Sequence, residues 1–192
     1  MRTKIIFGAI LFFGASLAFL GLWGSDSVLN GHKTKTYSNP ELGFSLEYPV
    51  SLGITEYMGG SMLIGRQDTA SGTQVSVAIS GQEQAQLSYG EFMAAKAIDL
   101  CSKNLSDNQA SCAEIVKLET VTTAKGILGE KLYIRETSRN REIGPFFAFN
   151  ISPLSGNEMR TLFLHPSAKA GKKTDPKIIH AVADTVQIRN VK

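Results

Sequence analysis

This chain of 192 residues is poor in cysteine, tryptophan and histidine, holding two, one and three of them. No C-x-x-C is present, so a thioredoxin-like dithiol is excluded, and two cysteines without histidines nearby fall short of the four ligands of a structural zinc site. His32, His165 and His180 are scattered and show no H-x-x-x-H or carboxylate spacing. A G-x-S-x-G nucleophile elbow is missing. Ala170-Gly171-Lys172-Lys173-Thr174 has the outline of a phosphate loop, but Pro166 stands where the earlier glycine belongs, and Lys173 where serine or threonine belongs. Glu41 and Glu47 read as solvent-facing strand residues rather than an acid-base pair. No catalytic residue, cofactor site or metal site is expected, and the sequence points away from an enzyme.

An excess of charge is also lacking. There are 20 basic and 17 acidic residues, and outside residues 1–25, which hold Arg2 and Lys4, the balance is 18 to 17. Nucleic-acid binding, which shows as a strongly basic domain or stripe, is excluded on this ground. Lys169, Lys172 and Lys173 form the densest basic cluster and read as a solvated loop.

What the chain does have is one long apolar run. From Ile5 to Ser25 there are 21 residues without a charge, directly behind Arg2 and Lys4. A helix of about 20 residues spans the hydrocarbon layer, and basic residues at its start stay on the cytoplasmic side. Trp23 falls near the outer end, where an indole prefers the interface. A cleavable signal peptide shares the basic start, with cut sites at Ser16-Leu17-Ala18 or Ser25-Asp26-Ser27. Either way the remainder is expected outside the cytoplasm: membrane-anchored in a single pass, or secreted or periplasmic after cleavage. The organisation expected is a membrane segment at 1–25, a polar tether at 26–36 and one α+β domain at 37–192.

Cys101 and Cys112 fit that location. A lone pair in an oxidising compartment is expected to form a disulfide, and closing so short a loop removes about 3 kcal/mol of unfolded-state freedom.

Strand signals dominate the domain. Phe44, Leu46 and Tyr48 alternate with polar residues up to Pro49, and Val75, Val77 and Ile79 alternate likewise. Met62–Gly65, Glu114–Thr123, Ile127–Glu136, Phe146–Ile151 and Met159–His165 are further strands, punctuated as turns by Gly126, Gly144-Pro145 and Pro153–Gly156. Short turns between consecutive strands imply antiparallel pairing. Two helices interrupt this series. Ser88 and Glu91 have capping-box spacing ahead of Phe92, Met93, Ala97, Leu100 and Cys101 at helical period. Asp175-Pro176 places an N-cap acceptor before proline at the first helical position, with Ile178, Ile179 and Val182 behind it. Val186 and Ile188 return to an extended pattern.

Tyr37, Asn39-Pro40, Gly43-Phe44 and Tyr48-Pro49 together resemble the opening hairpin of PsbP-like domains, a family named for an extrinsic subunit of photosystem II. The resemblance implies a PsbP-like α/β/α sandwich around a central antiparallel sheet, covering most of residues 36–190. It also implies an accessory or assembly role at a membrane complex, although a photosynthetic role does not follow from a shared fold.

Besides a purely structural envelope protein with no discrete site, the sequence leaves two functional classes. In one, the domain binds a protein partner in the envelope. Arg135, Arg139 and Arg141, mixed with Glu136 and Glu142 around a turn, are then the expected contacts, with Phe146 just beyond. In the other, a small-ligand or enzymatic site is assembled from scattered residues such as His165 with acidic neighbours.

Overall fold

The computed structural model describes residues 33–58, 61–65, 73–83, 87–103, 105, 111–154, 158–166 and 175–189. The apolar segment, residues 26–32 of the tether, His32 among them, and the Lys169–Lys173 cluster lie outside these. Among the described residues no helix is long and apolar enough to cross a membrane.

The chain opens with a hairpin, β1 (Thr34–Asn39) and β2 (Phe44–Pro49), paired from Thr34↔Pro49 to Asn39↔Phe44. β1 thus begins three residues before Tyr37, inside the stretch read as tether. Its turn is built as the local sequence dictates. The Asn39 side chain accepts from the Leu42 amide at 3.0 Å, and Gly43 takes φ +70°, which glycine adopts at no steric cost. β3 (Gly53–Glu56), β4 (Met62–Gly65) and β5 (Thr73–Glu83) follow, then α1 (Tyr89–Lys103). Next come β6 (Cys112–Thr122), β7 (Leu128–Glu136), β8 (Arg141–Asn150) and β9 (Glu158–Pro166). α2 (Pro176–Asp184) and β10 (Gln187–Ile188) close the series.

All pairings are antiparallel, but they form two sheets where the sequence implied one. Seven strands run in the order β3-β4-β5-β9-β8-β7-β6, and β1-β2-β10 form a separate sheet of three. Both helices start where expected. Glu91 accepts from the Ser88 amide at 2.8 Å and the Glu91 amide reaches back to the Ser88 hydroxyl at 3.4 Å, while Asp175 accepts from the Lys177 amide at 2.9 Å.

Successive strand residues point to opposite faces, and the large sheet is apolar on both. On one face Phe147 and Phe149 of β8 and Leu162 and Leu164 of β9 meet Ile179 and Val182 of α2 and Phe44 and Leu46 of β2. On the other, Phe146, Ala148 and Phe163 meet Met93, Ala97 and Cys101 of α1. Each fully buried phenylalanine or leucine contributes roughly 1.5–3 kcal/mol relative to exposure. The layers are therefore α1, the large sheet, then α2 with the small sheet beside it.

One local expectation needs correction. Gly144-Pro145 is not a turn but lies within β8, where Ile134 pairs with Ile143 and Leu132 with Phe146. Two residues of β8 there oppose Tyr133 alone, a bulge in which the missing proline N–H removes no ladder bond. Glycine is required beside it: a Cβ on Gly144 would lie 2.7 Å from the Tyr133 ring. β3, which the sequence does not announce, is a four-residue edge strand too short and too polar to show periodicity.

Candidate functional site

The arginines singled out in the sequence meet at the end of the β7–β8 hairpin. Glu136 pairs with Arg141 and Arg135 with Glu142, so the four residues 137–140 form the tip. Asn140 takes φ +45°, a conformation asparagine tolerates better than most residues. Arg135 donates from Nε to Glu114 of β6 at 2.9 Å and from Nη1 to the Asn140 side chain at 2.8 Å. Arg141 donates from Nε to Glu136, which is only 1% exposed and also accepts from the Ser138 hydroxyl at 2.7 Å. Burial works against ionisation of Glu136, but Ser138, Arg141 and the nearby charge of Arg139 together hold its carboxyl below the usual range.

The same corner is reinforced from behind. Thr137 donates through its amide and its hydroxyl to the Ser111 carbonyl, both at 2.9 Å. One residue on, Cys112 is bonded to Cys101 with the Cα atoms 5.9 Å apart, joining the last turn of α1 to the start of β6. The expected disulfide is present. Its neighbour Ser102 accepts from the Cys112 amide at 2.9 Å while donating to the Ile98 carbonyl. Sequence reading missed Ser102, Ser111 and Thr137, because small hydroxyls carry no periodic signal.

Phe146 does not join this cluster. It is 1% exposed under α1 and stacks on His165, ring centroids 5.3 Å apart and planes 14° from parallel. A phenylalanine pairing with Leu132 on the α1 side of a covered sheet is core, not contact surface. His165 is buried with it; desolvation pushes its pKa down to about 4, with the Pro166 carbonyl at Nδ1 pulling weakly the other way. His180 stands on the opposite face, edge-on to Phe147 at 4.9 Å, its pKa lowered by burial and by the charge of Lys131. The sheet separates the two described histidines. Tyr89, near the α1 N-terminus, accepts from the Thr161 hydroxyl at 2.9 Å, and burial raises its pKa to about 12.

A second polar group lines the α2 face of β6 and β7, near enough to α2 for the charge of Lys131 to act on His180. Glu119 pairs with Lys117 at 2.7 Å and Lys131 at 3.3 Å, and both ammoniums lie within 6 Å of the Tyr133 ring centroid, at 5.5 and 5.7 Å. The hydrogen bond from Lys117 holds Glu119 below, and Glu119 holds Lys117 above, their ordinary values. Among the described residues no three histidine, cysteine or acidic side chains are grouped to hold a metal ion.

No protein-family model matches the chain, and no curated protein matches it. Among solved structures it is similar to the solution structure of cyanobacterial PsbP (CyanoP) from Synechocystis sp., at 13% identity and a TM-score of 0.47, over 81% of this chain and 92% of that one. It is also similar to a crystal structure from Bacteroides thetaiotaomicron, at 18% identity and a TM-score of 0.34, and spans 48% of that chain. The likeness is one of chain path, and it assigns no activity, ligand or partner.

Proposed function

We propose that this chain is a membrane-tethered accessory domain outside the cytoplasm that docks a protein partner of the envelope through the end of the β7–β8 hairpin. The observation that carries this reading is the state of the three arginines. Arg135 and Arg141 are held by Glu114, Asn140 and Glu136, and Arg139 sits exposed between them on a tip braced by the disulfide corner. A cation on a pre-organised support loses little freedom on binding, so it suits a carboxylate-bearing partner. The apolar run Ile5–Ser25 behind Arg2 and Lys4 supports delivery to the membrane, and the disulfide supports an oxidising compartment.

Arg141 is unsuited to testing the idea, because it neutralises the buried Glu136 and its reversal would damage the fold. Arg139→Glu is the informative variant. After crosslinking in intact cells, wild type should recover one recurrent envelope partner, and Arg139→Glu at equal abundance should lose it. Equal recovery by both would retire the hairpin as the docking site.

A further inference from the structure

We infer that β6 is the seam of a homodimer, in which its outer edge pairs antiparallel with β6 of a second copy, centred on Leu118. Among the described residues β6 has a strand neighbour, β7, on one side only, and it is 11 residues long. An edge of that length offers a ladder of backbone groups to another strand. Leu118, in its middle, is 54% exposed, a large apolar side chain left to solvent on the α1 face.

The register follows from symmetry. Two identical antiparallel strands side by side are related by a two-fold axis normal to the sheet, and opposed residues then share a face. A residue must therefore occupy the centre. Centring on Lys117 opposes two lysines and centring on Glu119 opposes two glutamates, both unfavourable. Centring on Leu118 opposes the two leucines and sets Lys117 of each copy against Glu119 of the other. The bulge between Ile115 and Lys117 confines the regular ladder to this central stretch, with Val116 meeting Thr120 at its margin. The contact is small, so the dimer is weak and depends on concentration. It is independent of the docking proposed for Arg139.

The test uses the purified full chain, whose only cysteines are joined in the Cys101–Cys112 disulfide. Leu118→Cys should be captured as a covalent dimer on mild oxidation, far above Leu154→Cys, a more exposed control elsewhere on the surface. Adding Lys117→Glu places two like-charge pairs in the seam and should lower the yield roughly two- to thirtyfold. Adding Glu119→Lys as well should restore it. Leu118→Cys yields no higher than the control, or a yield indifferent to Lys117→Glu, would overturn the proposal. Circular dichroism of each variant separates loss of pairing from loss of fold.

Discussion

The two faces of the large sheet are covered by different means. The α2 face is closed by apolar packing contributed by both a helix and a second sheet, with Phe44, Leu46, Phe149, Leu162, Leu164 and Val182 all buried. The α1 face is closed by one helix, and much of what holds that helix is specific chemistry. It comprises a disulfide, a capping box and the Tyr89–Thr161 hydrogen bond, and beneath the helix His165 stacks on Phe146 within the sheet. A face sealed by area resists changes in conditions, whereas a face sealed by named bonds answers to redox potential and to acid. The contrast shows how one sheet can carry a constant side and a responsive side.

The strongest way to break the α2 face is to remove area. Phe149→Ala should cost about 3–5 kcal/mol in denaturant unfolding, equally with and without reductant. A loss below 1 kcal/mol would mean that the face does not depend on area. On the α1 face the largest effect expected is covalent. The double variant Cys101→Ala, Cys112→Ala should lose about 2–4 kcal/mol against oxidised wild type and nothing against reduced wild type. Equal stability in both comparisons would remove the disulfide from the account.

Acid should discriminate the faces more gently. His165 has its folded pKa at about 4, below its ordinary 6.5, so the unfolded chain binds the extra proton between those values. Its contribution is complete above pH 6.5 and is lost as pH falls toward 4, amounting to about 2 kcal/mol between pH 7 and pH 5. His165→Phe should show a correspondingly shallower fall over that window, and parallel curves would assign the acid sensitivity to other groups. Smallest is the helix cap: Ser88→Ala should cost about 1 kcal/mol, read as a lowered midpoint with unchanged slope.

How much of this was legible in the sequence follows the range of the forces involved. Period-two alternation placed Phe44–Pro49 and the β5 core, and short-range hydrogen-bond chemistry placed both helix starts at Ser88 and Asp175. These signals lie within a few residues of their effect. What stayed hidden depended on partners far along the chain. Gly144-Pro145 reads as a turn until Tyr133 is seen opposite it, and Glu136 reads as a solvated charge until pairing buries it beside Arg141. Phe146 offered a binding residue only because its sheet face was unassigned. Of the four contacts expected at the hairpin, three do lie there, and Arg139 alone is exposed without a carboxylate in hydrogen-bond contact among the described residues.

The small sheet has a consequence for how the protein is made. β2 lies between β1 and β10, and Thr185 bonds the backbone of Glu47 from 138 residues further along. Leaving the ribosome, the opening hairpin therefore waits until Gln187–Ile188 have been made before its third strand exists. Until then Phe44 and Leu46 have neither Val182 nor Val186 to cover them, and native closure of this layer waits for α2 and β10 to be made. On a nascent chain the face of β2 that carries Phe44 and Leu46 therefore stays uncovered until α2 emerges, open to chaperones and proteases in the same interval.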